Sequence, residues 1–182
     1  DDQADINAKM RAILVDWLVD VHTKFRLVPE TLYLCVRLTD KYCSLADVPR
    51  SKLQLVGVTA LLLVCKHEEI YPPEVRDCVY ITGKCCITLV AIFLVINHLA
   101  QYCCFMRTDR AYDRQEVLDM EQNILRVLGW KISLPTAYPF LDRFLSLTNA
   151  SPMTRHTANY YMERTLQEHD CLDYRPSRFV HR

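Results

Sequence analysis

The sequence predicts an all-α protein of one or two domains. Apolar residues recur at helical spacing along most of the chain, and no stretch shows the strict alternation of a half-buried strand. Only 3 of the 182 residues are glycine, and proline and polar residues fall between the apolar stretches. This pattern is typical of helices joined by short loops, in a chain long enough to bury a sizeable core.

The opening helix is expected over Met10–Phe25, with Asp5 or Asn7 as its N-cap. It is apolar on almost every side, which favours a central helix with other elements packed around it. Its Arg11 cannot lose its charge, so burial of this side chain would require a carboxylate partner.

Three helices are expected to follow. The second spans Glu30–Cys43, and the third spans Lys52–Glu69 with Ser51 as a candidate cap. The third helix is apolar all round and should also be buried, and Gly57 would let another helix approach it closely. A short fourth helix is expected over Glu74–Ile81.

Three further helices are expected in the rest of the chain. The first spans Arg114–Leu128, with Asp113 as its N-cap and Gly129 as the residue that ends it. The others span Ala137–Leu147 and Pro152–His169.

Composition argues against several classes of protein. Lys plus Arg and Asp plus Glu both number 22, so no basic excess indicates a nucleic-acid surface. The nine cysteines and the absence of a secretory signal favour a reducing intracellular compartment. The chain opens at Asp1 without Met, so we expect a fragment.

The sequence also lacks the patterns of an enzyme or a metal protein. The pairs Cys85–Cys86 and Cys103–Cys104, with His98 between them, lack the C-x-x-C spacing of structural zinc sites. No nucleophile motif and no glycine-rich phosphate loop is present. We therefore expect no catalytic residues, no metal and no cofactor.

Four sequence motifs follow one another along the chain: MRAILVDWLVDVH from residue 10, KLQLVGVTA from 52, CKHEEIYPPE from 65 and VLDMEQNILRVL from 117. Together they resemble the cyclin box, and KFRL with PETLY resembles B-type, mitotic cyclins. The resemblance covers residues 5–82 and 109–175. It implies a five-helix cyclin box over 1–135 and a second cyclin lobe over 136–182.

The resemblance implies a regulatory subunit, not an enzyme. Such a protein binds and activates a mitotic cyclin-dependent kinase, recruits Arg-x-Leu substrates or inhibitors, and controls G2/M progression in the nucleus and cytoplasm. The alternatives are a cyclin-fold transcription adaptor, which the neutral charge balance opposes, and an inactive truncated or misspliced product.

Three groups of residues match positions with known roles in the family. Lys66 and Glu121 match the charged pair that engages the kinase, and the positions around them are Leu63, His67, Leu125, Trp130 and Ile132. His67 replaces the aromatic residue usual there. The substrate-docking patch is matched by Met10, Ile13, Leu14 and Trp17, with Asp20 and Gln54 at its rim. Arg11 and Asp40 match a buried ion pair between the first two helices.

Pattern alone leads to a plainer interpretation of the same residues. The stripe from Met10 to Trp17 would be ordinary core, and Lys66 and Glu121 would be solvated surface charges. The resemblance instead predicts that Met10, Leu14 and Trp17 face outward. The inner face would then be formed by Ala12, Val15, Leu18 and Val19.

Residues 85–106 contain no Asp, Glu, Lys or Arg and are long enough to cross a membrane. B-type cyclins read Tyr-Ile-Thr-Asp at this point, so residues 83–108 resemble an insert between Thr82 and Asp109. Both junctions can be encoded with splice signals. We rank a retained intron first, a tolerated loop second and a membrane anchor third, so a membrane location is not expected.

The segment 172–177 resembles the entry to the third helix of the second lobe, and the chain then ends at Arg182. We therefore expect a truncated second lobe, low stability and a tendency to aggregate. The residues expected to lack packing partners are Tyr138, Leu141, Phe144, Tyr160, Tyr161 and Leu166.

Overall fold

The computed structural model describes residues 5–82, 112–172 and 174–178. These residues form helices and turns and contain no strand, so the all-α prediction is confirmed. The α-helices are α1 (Ala8–Phe25), α2 (Pro29–Cys43), α3 (Leu53–Glu68), α4 (75–82), α5 (Arg114–Val127), α6 (Tyr138–Leu147) and α7 (Pro152–Gln167). Short 3-10 helices span Arg50–Lys52, His169–Cys171 and Pro176–Arg178.

Helix α3, and not α1, occupies the centre of the first bundle. Every residue from Leu53 to Cys65 is buried, and α3 packs against α1, α2 and α5. Helix α1 buries one face and leaves Asp16 and Asp20 exposed on the other. The prediction of a central α1 is therefore wrong, because these ionised carboxylates stay in water, whereas residues 53–65 carry no charge.

The outward orientation predicted for Leu14 and Trp17 is also wrong. Their exposed fractions are 1% and 6%, and both belong to the main core. The cause is the α1–α3 crossing at Gly57, where an added Cβ would lie 2.8 Å from Leu14 Cδ1. Gly57 therefore does allow the close helix approach predicted from the sequence.

Local hydrogen bonds account for the observed helix starts. The side chain of Asn7 accepts the Met10 N–H at 2.9 Å, so α1 begins two residues earlier than predicted. Asp113 caps α5 as predicted, in a reciprocal capping box with Glu116. Ser51 does not cap α3, because it lies inside the 3-10 turn that precedes this helix.

The C-terminus of α5 is closed by the glycine that the sequence indicated. Gly129 has a φ of 58°, and its N–H donates to Arg126 O at 3.1 Å. The Trp130 N–H donates to Leu125 O at 2.9 Å. This pair of bonds is a Schellman motif, which satisfies carbonyls at the helix end and turns Trp130 outward.

Helices α6 and α7 form a second, smaller core with α2. Leu141, Leu145 and Met162 pack against Tyr33 of α2, and the Tyr33 and Tyr138 rings are 5.5 Å apart. The expectation that Tyr138, Leu141 and Leu166 lack partners is therefore wrong, because the first bundle supplies them. Phe144 is half-buried, and the two residues that are exposed as expected are Tyr160 and Tyr161.

The predictions for residues 83–108 lie outside the described residues, and so do those for the two adjacent cysteine pairs and His98. Within 5–82, 112–172 and 174–178, no helix is long and apolar enough to span a membrane. In those same ranges, no group of three His, Cys, Asp or Glu side chains is arranged to hold a metal ion.

Candidate functional site

The first predicted site contains an ion pair between two helices. Lys66 lies in the last turn of α3 and Glu121 lies on α5, and Lys66 Nζ donates to Glu121 Oε1 at 2.5 Å. Lys66 keeps 45% of its side chain exposed and Glu121 keeps 13%. The fold thus joins two residues that are 55 positions apart in the sequence and leaves the cation accessible to a partner.

Helix α5 is held so that Glu121 faces α3. Val117 and Ile124 of α5 are fully buried in the main core. At one end the Tyr112 hydroxyl donates to Ser51 O at 2.8 Å, and further along Asn123 Nδ2 donates to the Tyr42 hydroxyl at 2.8 Å. These bonds set the register of α5 against its neighbours.

The residues predicted to surround this pair occupy three levels. Leu63 is buried beneath it, and Leu125 and Ile132 are half-buried against the main core. His67 and Trp130 are exposed, Trp130 by 75%. Three of these predicted residues are therefore part of the core or packed against it, and two are exposed to solvent.

Two exposed residues that follow α3 were not among the residues predicted for this site. Ile70 and Tyr71, immediately after α3, are 87% and 91% exposed. The signal was present in the I-Y-P-P sequence, because Pro72 and Pro73 cannot continue a helix and hold the chain extended. We call Lys66, Glu121, Ile70, Tyr71 and Trp130 the α3–α5 surface.

Buried cysteines lie behind this surface and are not nucleophiles. Burial raises the pKa of Cys65 and of Cys78 to about 12, and nearby carboxylates add to the shift. Burial also raises the pKa of Cys35 well above its usual value. All three remain protonated thiols at neutral pH and act as small core residues.

The second predicted site lies on α1 and is only partly at the surface. Met10 and Ile13 are half-buried and Asp20 is exposed, whereas Gln54 is buried with Leu14 and Trp17. The pKa of Asp20 is raised, first by partial burial and then by the neighbouring Asp16 carboxylate. Two acidic groups one helical turn apart make this rim attractive to a cation.

The indole of Trp17 adds a polar feature to this site. Its Nε1–H is buried and has no hydrogen-bond partner among the described residues. A buried donor of this kind costs free energy unless a ligand or a small rearrangement satisfies it.

The ion pair predicted for Arg11 and Asp40 is present. Arg11 Nε and Nη2 donate to the two Asp40 carboxylate oxygens at 2.7 and 2.9 Å. Arg11 Nη1 also donates to Leu166 O, at 2.8 Å, near the end of α7. The resemblance predicted this pair between α1 and α2 but not its contact with α7, for which no local sequence signal exists.

Comparison with family profiles assigns nearly the whole chain. The profile described as "Cyclin, N-terminal domain" matches residues 1–133, and "Cyclin, C-terminal domain" matches residues 135–179. The chain is 43% identical over 175 residues to Cyclin-B2-1 of Arabidopsis thaliana, covering 96% of this chain and 35% of that protein. It is 40% identical over 177 residues to G2/mitotic-specific cyclin-2 of Medicago sativa, covering 97% and 46%.

A solved structure shares the fold. The X-ray structure of a viral cyclin from herpesvirus saimiri superposes with a TM-score of 0.73 over 95% of this chain and 66% of that one. The two sequences are 18% identical, so this likeness concerns the fold alone. The chain spans between about a third and a half of the length of the plant relatives named above.

Proposed function

Because the chain belongs to the cyclin family, we propose that it is a regulatory subunit, not an enzyme, of a mitotic cyclin-dependent kinase. It binds the kinase through the α3–α5 surface and stabilises the active arrangement of the mobile kinase elements. Its contribution is a population shift driven by differential binding, without chemical groups of its own. The cellular role proposed is control of G2/M progression, in the nucleus and cytoplasm.

The observation that carries this proposal is the composition of the α3–α5 surface. Ile70 and Tyr71 are large exposed side chains four and five residues after the accessible Lys66, and Trp130 is exposed just after α5, the helix that carries Glu121. Protein interfaces commonly combine aromatic anchor residues with a small number of charged groups. Exposure of large apolar side chains to water is unfavourable, so their clustering at a surface indicates a binding site.

Charge reversal at Lys66 tests the proposal. We expect Lys66→Glu to weaken binding to a mitotic cyclin-dependent kinase by more than about tenfold. The substitution removes the cation presented to the kinase and places a second carboxylate next to that of Glu121. The measurement is the dissociation constant, together with kinase activity on a short peptide.

A matched control is available on α2. Lys41 is also exposed and belongs to α2, which contributes no residue to the α3–α5 surface, so Lys41→Glu makes the same charge change on a different helix. Equal binding by wild type and Lys66→Glu would refute the assignment of this surface.

We also propose that α1 recruits substrates or inhibitors that carry an Arg-x-Leu motif. The acidic rim of Asp16 and Asp20 would attract the arginine, and half-buried Met10 and Ile13 would contact the leucine. The support is this combination of an acidic rim and an apolar strip on a single helix.

The buried positions of Leu14 and Trp17 determine which variants can test recruitment. Alanine at either position would open a cavity in the core at a cost of about 2–5 kcal/mol, which confounds any binding result. Asp20→Lys changes an exposed side chain instead. We expect it to lower phosphorylation of an Arg-x-Leu substrate relative to a matched peptide without the motif, and an unchanged ratio would refute recruitment by α1.

A further inference from the structure

The carboxylate of Glu69 supplies a helix cap from a distant part of the chain. Glu69 directly follows α3, and its Oε1 accepts the Val28 N–H at 2.8 Å and the Thr31 Oγ–H at 2.7 Å. Val28 is the N-cap residue of α2, and its apolar side chain makes no capping bond. Glu69 instead accepts the N–H of the N-cap residue, as the acid of a capping box does, from 41 positions further along the chain.

These two hydrogen bonds attach the residue that follows α3 to the start of α2. Thr31 is completely buried, and the Glu69 N–H itself donates to Cys65 O at 2.9 Å. The chain beyond Glu69 carries exposed Ile70 and Tyr71, followed by two prolines that have no N–H to donate. The side chain of Glu69 thus fastens to α2 a segment whose two prolines restrict its backbone but donate no hydrogen bond.

We propose that Glu69 is a positioning residue for partner binding. It holds Ile70 and Tyr71 in place beside Lys66 through its bonds to the start of α2, and it does not act through its own charge on the partner. This inference rests on the proposed kinase-binding function. A loop that is already ordered loses less conformational entropy on binding, so loss of the anchor should weaken the affinity for the kinase by about three- to tenfold.

Four variants separate positioning from direct contact. Glu69→Ala removes the acceptor, whereas Glu69→Gln removes the charge and keeps an acceptor oxygen. Thr31→Val removes one of the two bonds at a position that is 0% exposed and cannot touch a partner. Thr39→Val is the matched control, since Thr39 is another buried threonine of α2 and bonds within its own helix to Cys35 O.

The experiment measures the dissociation constant for a mitotic cyclin-dependent kinase. Positioning predicts weaker binding by Glu69→Ala and Thr31→Val, with Glu69→Gln and Thr39→Val close to wild type. Binding that is weakened equally by Glu69→Gln and Glu69→Ala but unaffected by Thr31→Val would overturn the proposal in favour of direct charge contact. Wild-type affinity in all four variants would overturn it as well.

A second measurement on the chain alone distinguishes failure of this inference from failure of the proposed function. Hydrogen exchange of the Val28 amide should be faster in Glu69→Ala than in wild type and Glu69→Gln. Unchanged exchange in Glu69→Ala would overturn the anchor whatever the kinase result. The remaining outcome is that the Val28 amide exchanges more slowly in the wild type than in Glu69→Ala, but the wild type binds no kinase. That outcome would refute the kinase-binding function and leave the anchor in place.

Discussion

Two ion pairs join distant parts of this chain, and they differ in what surrounds them. Arg11 and Asp40 are 12% and 16% exposed and meet through two hydrogen bonds, and Arg11 also binds a carbonyl of α7. Lys66 and Glu121 meet through one hydrogen bond, with 45% of the lysine side chain exposed.

The difference teaches which pair belongs to the fold and which can serve a partner. A guanidinium that already donates to a carboxylate and to a helix end is committed to holding α1, α2 and α7 together. An exposed ammonium with three donors can keep its carboxylate and still bind another group. Similar sequence signals, two charges on different helices, therefore lead to different roles.

The largest effect is expected at the enclosed pair. Arg11→Ala should lower the free energy of unfolding by about 3 kcal/mol, because it leaves Asp40 and the Leu166 carbonyl without their cation in a largely buried place. Urea denaturation measures this loss. Arg11→Lys keeps the charge but cannot donate to both carboxylate oxygens in the same geometry, so its free energy of unfolding should lie between those of the wild type and Arg11→Ala. A loss below about 0.5 kcal/mol for Arg11→Ala would show that the pair does not hold the fold.

A smaller effect is expected at the exposed pair. Lys66→Ala should change the free energy of unfolding by less than about 1 kcal/mol, because solvent screens the pair in the wild type and holding the long lysine side chain in one geometry costs entropy there. The same urea titration provides the measurement. A loss comparable with that of Arg11→Ala would remove the distinction between the two pairs.

The smallest effect is expected at Asp20, a carboxylate that faces the like charge of Asp16. Its raised pKa means that the folded chain holds the Asp20 proton more tightly than the unfolded chain does, so ionised Asp20 opposes folding. Asp20→Asn should therefore be slightly more stable at pH 7, by no more than about 0.5 kcal/mol.

The pH dependence gives the sign of this last prediction. The advantage of Asp20→Asn should disappear as the pH falls below the ordinary Asp value of 3.8, where both states of the wild type are protonated. Thermal melting of both proteins between pH 3 and pH 7 checks it. An advantage that grew on acidification would contradict the assigned direction.

Much of the helix plan was predictable from local patterns. Asn7, Asp113 and Gly129 end or begin helices through hydrogen bonds to residues three or four positions away, and such signals are legible in the sequence. The motif order likewise predicted the family. Ser51 shows the limit, because it lies inside the exposed 3-10 turn of residues 50–52 and not at the position that caps α3.

The orientation of α1 was less predictable. A helix that is apolar on nearly every side has no unique inner face, and α1 was expected to present Leu14 and Trp17 outward. The missing Cβ of Gly57 instead draws Leu14 into the contact with α3. Periodicity reports how apolar a face is, whereas the neighbouring helix decides which face is buried.

The sequence by itself determined the all-α class, most helix ends, the cyclin family and the identity of the two ion pairs. Tertiary structure alone decided that α3 is the central helix, that Arg11 reaches α7 and that Glu69 caps α2. The helix class and the helix ends depend on hydrogen bonds and periodicities within a few residues of one another, whereas the family and the two ion pairs were implied by the order of the motifs. The features that tertiary structure decided depend on contacts between residues as far as 155 positions apart, which exist only once the helices have packed.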